Sequence, residues 1–470
     1  MTTTIEKLAD FTCNIRFKDL PVDVISESKR ILLDSTGCAL AGLNSDKGKI
    51  AVEFAHLRKE PEEATILGVG NKASVFAASF ANGELIQALD YDAIHTPPGH
   101  VSPFVIPACL ALAEREKASG EDLILAIAIA HEVSVRFGMA MGYYRDPDAP
   151  KDKMSPTSGL SSTVFGATLA AGLMLSLKPQ KLARALGIAG RIAPAQSMTK
   201  WGKTVPASMD KYLMAGWVSE VALNSVFLAE LGYAGDISVL EGDYGFWRYM
   251  GSGKWSPELM TDKLGETWRF PPVTIYKPYP CCRIMQTAID CFIKIIEDNQ
   301  LQPEEIEEVN VYVDPHVVNE PIWQNREIVT DIDAQMSIAY PFAVAAHRVP
   351  IGPEWLDLST LRNTRILGFM DKIKSWPHPQ YAQELGKDPA SRIGKAEITA
   401  RGKQYTEERK YRKGSPAIAD TRMSDEELVS KFKYNALRIL PSSKIDTAAA
   451  EIMSLERVTD VSKLTSDLVI

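Results

Sequence analysis

The chain has 470 residues, of which 45% are apolar and 24% are charged, and these fractions are ordinary for a globular protein of two or three domains. Its formal net charge of −8 excludes a surface that is dominated by basic side chains, so we expect no nucleic-acid partner. A membrane span requires about 18–20 consecutive apolar residues, and because no run of that length stands out, we expect no membrane partner either.

The amino terminus and the cysteines favour a cytoplasmic protein with reduced thiols. The opening residues, MTTTIEKLADF, include acidic side chains and lack the apolar stretch that follows the basic head of a signal peptide. The six cysteines are scattered, and the one adjacent pair, Cys281 and Cys282, lacks the CxxC spacing with which two thiolates bind one metal ion. An iron–sulfur cluster needs three or four cysteine ligands, so we expect chemistry that needs no metal.

Apolar periodicity predicts helix after helix over residues 1–266. The stretch VISESKRILLDSTGCALAG places its apolar and small residues along one face, with Pro21 in the first helical turn and Gly42 at the end. A second stretch, SGEDLILAIAIAHEVSVRFGMAMG, begins with Ser119 as the predicted N-cap and is apolar nearly all round, which predicts a buried helix. The Gly-, Ala- and Ser-rich stretch SGLSSTVFGATLAAGLMLSL indicates helices that pack closely in a bundle.

The pattern changes after the stretch WRFPPVTIYKPYPCCR. The stretches IEEVNVYVD and KAEITARGKQYTEER alternate between apolar and polar residues, as the strands of a small sheet do, and the second contains a Gly-Lys turn. Helical stretches lie between them, so residues 267–415 are predicted to form an inserted α+β domain. Ser424 and Glu427 then have the spacing of a capping box, and we expect residues 416–470 to complete the helical domain. The predicted fold class is therefore mainly α.

The segment LDYDAIHTPPGH, residues 89–100, carries two aspartates and two of the seven histidines of the chain. Asn82 is the predicted cap of the preceding helix, and Asp90 falls in its last turn, where the helix dipole disfavours a carboxylate unless a cation lies nearby. His100 precedes Ser102-Pro103, a predicted helix start whose positive end favours a neutral imidazole that can accept a proton. The segment is therefore a candidate acid/base site, and the alternative is a solvated loop with incidental histidines.

Basic side chains occur in two further stretches. In SMTKWGKTVPASMDKYLMAG, Lys203 and Lys211 accompany the start of an apolar helix, and a lysine there could bind a substrate carboxylate or protonate a carbanion. The alternative is that these lysines extend to solvent. In YKPYPCCRIMQ, Lys277 and Arg283 lie at the predicted domain junction, and an interface between domains is a usual place for a ligand pocket.

Two other patterns bear on the chemistry. Tyr340, in AQMSIAYPFAVAA, is a phenol on an apolar element, where it is either a hydrogen-bond donor to a ligand or a buried tyrosine with an internal partner. The stretch GVGNKA lacks the third glycine of a nucleotide-binding turn, and the sequence contains no GxSxG, HExxH or Walker motif. We therefore expect neither a nucleotide cofactor nor a serine-hydrolase or metalloprotease site.

Several stretches, in their order along the chain, resemble the MmgE/PrpD family from about residue 5 to 460. They are SKRILLDSTGCALAG, NGELIQALDYDAIH with GHVSPFVIPACLALAE, DKYLMAGWVSEVA, YGFW, YKPYPCCRI and AQMSIAY. The family includes 2-methylcitrate dehydratase, cis-aconitate decarboxylase and iminodisuccinate epimerase. The resemblance implies a large all-helical domain, a smaller α+β lid domain inserted late in the chain, a homodimer, and a cleft between the domains that holds no metal or organic cofactor.

The resemblance also implies a set of site residues. The first aspartate of the family's D-[FY]-D motif matches Asp90, and the histidine ten positions later matches His100. The implied catalytic residues are Asp90, His100, Lys211, Lys277 and Tyr340. The further candidates for substrate binding are His95, Ser155, Lys203, Arg283 and Gln286.

Three positions depart from the family's pattern. Ser155 stands where dehydratase and decarboxylase members carry a histidine, and Gln286 stands where they often carry another. Ile94 occupies the position at which the decarboxylase has a small hydroxyl residue, and His95 follows it directly. These differences remove groups that can act as general acids, and they argue against decarboxylation of cis-aconitate in particular.

The reactions of the family share the removal or return of a proton next to a carboxylate, with the resulting enediolate held by cations and hydrogen-bond donors in a closed site. We therefore expect a cofactor-independent lyase of a small di- or tricarboxylic acid, foremost a dehydratase of the 2-methylcitrate dehydratase kind. One alternative is an epimerase or isomerase of an amino- or hydroxy-dicarboxylic acid, which forms the same carbanion without expelling water. The other is a non-catalytic carboxylate-binding paralogue.

Overall fold

Helices dominate the first part of the chain in the computed structural model, which describes residues 2–142 and 159–470. The predicted site residue Ser155 lies outside the described residues. The helices in this part are α1 (Thr4–Asn14), α2 (Val22–Gly42), α3 (Asp46–Leu57), α4 (Val75–Gln87), α5 (Ser102–Arg115), α6 (Gly120–Ala140), α7 (Thr163–Met174), α8 (Pro179–Ile192), α9 (Met198–Gly202), α10 (Ala215–Glu230), α11 (Phe246–Tyr249) and α12 (Glu258–Thr261).

Close packing explains why these helices are rich in small residues. α6 and α7 lie against each other, and a side chain at Gly166 would place its Cβ 2.4 Å from the carbonyl oxygen of Ala130. Contrary to expectation, one described helix, α6, is long and apolar enough by composition to span a membrane. Its apolar stretch is 94% buried inside the protein, so packing in the core accounts for its composition.

The helix caps were predicted with mixed success. Ser119 and Ser424 are confirmed as N-caps, each in a capping box with the acidic residue three positions later. The prediction for Asn82 is wrong, because α4 already begins after Ser74 and Asn82 lies in its middle. The Asn82 side chain accepts a hydrogen bond from the Leu67 N–H and so holds the preceding loop. Local propensity selects an asparagine cap, and this tertiary contact overrides it.

The later part of the chain contains a four-stranded sheet with short helices around it. The strands are β6 (Ile306–Val313), β7 (Ile373–Pro377), β8 (Gly394–Ala400) and β9 (Lys403–Arg409), in the order β7-β6-β8-β9. β6 pairs in parallel with β7 and antiparallel with β8, and β8 pairs antiparallel with β9. The helices are α13 (Gln286–Asp298), α14 (Pro315–Asn319), α15 (Pro321–Gln324), α16 (Asp331–Met336), α17 (Tyr340–Ala346), α18 (Leu358–Leu361), α19 (Thr364–Phe369) and α20 (Tyr381–Lys387).

Two features bring distant parts of the chain together at one place. A small sheet pairs β3 (Ile94–His95) with both β4 (Gly99–His100) and β5 (Thr274–Ile275), so the segment after α4 lies beside the segment that leads to Lys277. The chain ends in three helices, and the first of them packs on α2. The remaining elements are β1 (Ala64–Thr65), β2 (Lys72–Ala73), α21 (Asp425–Ala436), α22 (Ser442–Met453) and α23 (Val461–Asp467). The protein is mainly α, as predicted.

Candidate active site

Four of the predicted site residues meet, and each lies at or near the end of a regular element. Asp90 follows α4, His100 ends β4, Lys211 precedes α10, and Lys277 follows β5. Asp90 and Lys211 both adopt the left-handed backbone region, with φ of 51° and 49°. Side chains other than glycine adopt this region at a cost in free energy, and such strain concentrates at functional sites. All four side chains are buried.

Asp90 is the centre of this group. Its Oδ2 lies 2.8 Å from Nζ of Lys277, and its Oδ1 lies 3.8 Å from Nζ of Lys211 and 2.7 Å from the hydroxyl oxygen of Tyr212. Burial acts to raise the pKa of Asp90, but Lys277, Lys211 and His100 together hold that pKa well below its usual range. Asp90 is therefore a permanent carboxylate at neutral pH, which makes it an anchor for the lysines and a poor proton acceptor.

His100 forms the acid/base part of the group. Its Nδ1 lies 2.6 Å from Oδ2 of Asp92, and its Nε2 lies 2.6 Å from the hydroxyl oxygen of Tyr212. Burial lowers the pKa of His100, with Asp92 opposing the shift and Lys277 adding to it. Burial and the charge of Asp90 also raise the pKa of the Tyr212 phenol well above its usual value. The resting imidazole is therefore neutral, and the phenol keeps its hydrogen.

Asp92, His100, Tyr212 and Asp90 form a row of hydrogen-bonding groups that can carry a proton, because the row has one hydrogen fewer than it has contacts. Three short contacts join Asp92, His100, Tyr212 and Asp90 in that order. A neutral imidazole and a phenol supply two hydrogens for these three contacts. A proton that arrives at Nε2 of His100 supplies the third, because the Tyr212 hydroxyl is then free to donate to Asp90. The row can therefore take up one proton and release it again without rearrangement.

The two lysines supply positive charge with hydrogen-bonding capacity to spare. Nζ of Lys277 donates to the Asp90 carbonyl at 2.7 Å as well as to its carboxylate, and Nζ of Lys211 donates to the carbonyl of Gln87 at 2.7 Å. An ammonium group has three N–H donors, so a donor remains on each lysine within the described part of the chain. Burial lowers the pKa of Lys211 to about 8, with Asp90 opposing the shift and Lys47 adding to it.

Within the described part of the chain, Tyr340 and Lys203 form no hydrogen bond or ion pair with this group. The hydroxyl of Tyr340, at the start of α17, donates a 2.6 Å hydrogen bond to the carbonyl of Trp355, so its hydrogen serves the fold of that region. Asp357 is the charged group that acts on the pKa of Tyr340 besides burial, and both raise it. Lys203 follows α9 and is exposed to solvent. Tyr340 thus has the internal partner expected of a buried tyrosine, and Lys203 extends to solvent.

His95 faces away from His100, and Gln286 holds the backbone turn that follows Lys277. His95 is adjacent to Ile94, which pairs with His100, so His95 points to the other face of the β3–β4 hairpin. There its ring lies 5.2 Å from the ring of His131, and burial, followed by His131, lowers the pKa of His95 well below its usual value. Gln286 begins α13, and its Nε2 donates to the carbonyls of Tyr279 and Cys281, which fixes the turn after Lys277.

Arg283 lies at the edge of the hairpin that carries His100. A Cβ built on Gly99 would lie 3.7 Å from Nη1 of Arg283, so the guanidinium faces the residue that precedes His100. Gly99 itself has φ of 130°, which a side chain would rarely adopt. Among residues 2–142 and 159–470, no group of three or more His, Cys, Asp or Glu has an arrangement that could hold a metal ion.

Two residues of the site were missed in the sequence. Asp92 is the second aspartate of the DYD triplet, and Tyr212 directly follows Lys211. The pairing of two acids around one residue is a signal for Asp92, because a bend after α4 can turn both carboxylates inward. Tyr212 gives no comparable signal, since a tyrosine at the start of an apolar helix is ordinarily a packing residue.

Comparisons with known proteins identify the family of this chain. The model of the MmgE/PrpD N-terminal domain matches residues 6–258, and the model of the MmgE/PrpD C-terminal domain matches residues 279–457. The chain is 26% identical to cis-aconitate decarboxylase from Aspergillus terreus over 487 residues, with 97% of this chain and 94% of the relative covered. It is 24% identical to cis-aconitate decarboxylase from Homo sapiens over 465 residues, with 94% and 90% covered. This chain belongs to the MmgE/PrpD family.

Proposed function

We propose that this protein is a lyase that acts on a small di- or tricarboxylic acid through a carbanion formed next to a carboxylate. The observation that carries the proposal is the position of Asp90, whose carboxylate contacts two buried lysines and the hydroxyl of Tyr212, which in turn contacts His100. The relatives named cis-aconitate decarboxylase support the class, because that name describes a lyase whose substrate is a tricarboxylic acid.

The lysines fit the charge that such a reaction develops. When a proton leaves the carbon next to a carboxylate, the electron pair spreads into the carboxylate and forms an enediolate with additional negative charge. Lys211 and Lys277 would accept this charge through the N–H donors that Asp90 and the backbone leave available. Both ammonium groups are fully buried, so no water screens their interaction with the enediolate.

The relay fits the movement of the proton. His100 would receive the proton through the hydroxyl of Tyr212, which passes its own hydrogen to Nε2 and takes up the one from carbon. In a dehydratase the same relay returns that proton to the hydroxide that leaves the neighbouring carbon. A hydroxy acid then becomes an unsaturated acid and water, with every proton accounted for and one relay sufficient. We therefore favour dehydration, with Tyr212 in the position of proton donor that the sequence suggested for Tyr340.

A second candidate reaction is decarboxylation, which the relatives favour by name. In that reaction the carbanion forms by loss of carbon dioxide, and a protonated His100 would supply the proton that replaces the carboxyl group. Decarboxylation therefore needs His100 to be protonated before the reaction, whereas dehydration needs it to be neutral. Burial lowers the pKa of His100, so the neutral form that dehydration needs is the more abundant one at neutral pH.

Nuclear magnetic resonance in D₂O separates these reactions. The protein is incubated with citrate, 2-methylcitrate, cis-aconitate, malate and aspartate, and the protons next to each carboxylate are followed. A new vinylic signal without loss of carbon indicates dehydration, and release of labelled carbon dioxide indicates decarboxylation. Deuterium incorporation with inversion alone indicates an epimerase and contradicts both. If no acid reacts or exchanges across the panel, the protein is a carboxylate-binding paralogue and the proposal is wrong.

A pair of lysine variants tests the site itself. Lys211→Met removes one of the two buried cations and should abolish both turnover and deuterium exchange, because the enediolate then lacks half of its stabilising charge. Lys200→Met is the matched control, since Lys200 is an exposed lysine of the same stretch. Full activity of Lys211→Met would show that the reaction takes place elsewhere in the protein.

A further inference from the structure

Arg412 is a buried guanidinium that has no carboxylate partner. Only 2% of the residue is exposed, and its Nη1 donates a 3.2 Å hydrogen bond to the carbonyl of Arg283. Its Nε and Nη2 have no acceptor, and no acidic side chain forms an ion pair with it in the described part of the chain. Burial lowers the pKa of Arg412 to about 9, with Arg392 and Arg283 adding to the shift, so the group is still a cation at neutral pH.

A second buried arginine shows what the protein does when such a charge is structural. Arg136 is fully buried in α6, and its Nε donates to the carboxylate of Glu132 at 2.6 Å. Its Nη1 and Nη2 donate to the carbonyls of Leu259, Asp262 and Thr267 at 2.8–3.0 Å. Every side of Arg136 is therefore paired. A buried cation that lacks such pairing destabilises the fold, and that cost is offset when an anion binds to it.

The position of Arg412 places it beside the candidate active site. The carbonyl that it contacts belongs to Arg283, whose guanidinium faces Gly99 next to His100. Arg412 is thus linked to the candidate active site through Arg283 and the hairpin that carries His100.

The backbone near Arg412 is held against the segment that carries Lys277. The N–H of Tyr276 donates to the carbonyl of Gly414 at 3.2 Å, and a Cβ on Gly414 would lie 1.7 Å from the carbonyl oxygen of Tyr276. Only glycine permits this approach, so the strand end that leads to Lys277 and the segment around Arg412 are fixed relative to each other. The guanidinium is therefore positioned by the same contacts that position Lys277.

Burial raises the pKa of the Asp290 carboxylate and the charge of Arg412 acts to lower it, but both of its oxygens already accept hydrogen bonds from other groups. Its Oδ1 accepts a 2.8 Å hydrogen bond from the hydroxyl of Tyr279, and its Oδ2 accepts one of 2.8 Å from the N–H of Lys413. Arg412 is one of the charges that act on the pKa of Asp290, but no ion pair joins the two side chains. Asp290 therefore anchors the backbone next to Arg412 and leaves the guanidinium itself available.

We propose that Arg412 binds a second carboxylate of the substrate, one that is not attached to the carbon that loses the proton. Nε and Nη2 are the two unpaired donors, and they form the fork of a guanidinium that matches the two oxygens of a carboxylate. The carbonyl of Arg283 holds the remaining nitrogen, Nη1, and the charge of Arg283 also acts on Arg412. The inference rests on the proposed function, which it extends: the reacting carboxylate lies at Lys211 and Lys277, and the substrate carries at least one more.

The test uses tricarballylate, an unreactive tricarboxylate, as the probe. Calorimetric titration of the full protein measures its dissociation constant, and Arg412→Met should weaken binding roughly 100-fold because two charged hydrogen bonds are lost. Arg412→Lys, which keeps the charge but not the fork, should also bind more weakly than the wild type. Binding of tricarballylate to Arg412→Met at wild-type strength overturns the inference. That result leaves the proposed function intact, because the lysine variants test it independently.

Thermal unfolding distinguishes a binding role from a structural role. Without ligand, Arg412→Met should melt at a higher temperature than the wild type, since an unpaired buried charge has been replaced by an apolar side chain. Arg136→Met is the matched control and should melt at a much lower temperature, because it leaves Glu132 buried without its partner. A lower melting temperature for Arg412→Met shows that Arg412 is structural, and that outcome overturns the inference. If Arg412→Met does not fold, the same structural role is shown.

Discussion

Two buried clusters, each made of an aspartate and one or two lysines, lie next to each other in the protein. They differ in how many of the lysine N–H donors already have an acceptor. In the first, Nζ of Lys431 donates to Oδ1 of Asp34 at 2.7 Å and to the carbonyls of Tyr91 and Lys277 at 2.9 Å each. The second oxygen of Asp34 accepts the N–H of Ala93 at 2.9 Å. Three donors of Lys431 therefore meet three acceptors, and this cluster has no capacity left for a ligand.

In the second cluster, one carboxylate serves two ammonium groups. Asp90 contacts Lys277 at 2.8 Å and Lys211 at 3.8 Å, and the backbone of both Asp90 and Lys211 is in the left-handed region. A donor remains on each of these lysines within the described part of the chain. We infer that the first cluster, which we call closed, fixes the fold, and that the second, which we call open, has donors for a negatively charged ligand. Lys431 of the closed cluster holds the carbonyls of Tyr91 and Lys277 beside the open one.

The largest effect should come from breaking the open cluster. Lys277→Met should lower kcat/KM roughly 1000-fold, because a preorganised cation that stabilises the transition state is lost. The variant should still fold, since Asp90 keeps its contacts with Lys211 and Tyr212. The change is measured by steady-state kinetics with the acid that reacts in the nuclear magnetic resonance experiment. The control is Lys403→Met, which replaces an exposed lysine. An activity above one tenth of the wild type would contradict the assignment.

Breaking the closed cluster should affect stability instead. Lys431→Met leaves Asp34 buried without its cation and should destabilise the protein by about 3–5 kcal/mol. The double variant Asp34→Asn with Lys431→Met should recover part of that loss, because no unpaired charge then remains. Calorimetric unfolding measures both changes. If Lys431→Met unfolds like the wild type, or if its folded fraction is as inactive as Lys277→Met, the two clusters do not differ as described.

A smaller effect is expected from interrupting the proton relay beside the open cluster. Tyr212→Phe removes the hydroxyl that joins His100 to Asp90 and should lower kcat by roughly 10–100-fold. Binding of tricarballylate should stay within about threefold of the wild type, because a phenyl ring has almost the same shape and no charge changes. A loss of binding instead of turnover would show that Tyr212 positions the ligand rather than the proton.

The sequence predicted the open cluster better than its surroundings. Asp90, His100 and Lys211 were each predicted near the end of an element, and Lys277 at the domain junction. However, α4 ends at Gln87, so Asp90 lies after it rather than in its last turn. Strands β6, β8 and β9 were also predicted, because their period of two is local. The function of Asp90 as an anchor was not predicted, since the pKa of a carboxylate depends on cations from distant segments.

The rest of the site depends on register and on tertiary contacts, which the sequence does not encode locally. The register of the β3–β4 hairpin places the His95 ring against His131. The partner of the Tyr340 hydroxyl is the carbonyl of Trp355, which a tertiary contact brings to it. Arg412 lies in the stretch YRKGSP, which looks like an ordinary basic loop in the sequence. Gly414, two residues later, packs on the segment around Tyr276, and both the burial of Arg412 and its lack of a partner appear only in the folded chain.

The smallest effect should be a change in pH dependence that belongs to the open cluster alone. Burial lowers the pKa of Lys211 to about 8, and the cationic form is the one that stabilises an enediolate. The value of kcat/KM should therefore be level from neutral pH to about pH 8 and fall by up to tenfold for each pH unit above it. Lys211→Arg keeps its charge throughout this range, so its profile should stay level between pH 8 and 9.5, although its activity should be lower overall. The same alkaline fall in both proteins would assign the titration to a group other than Lys211.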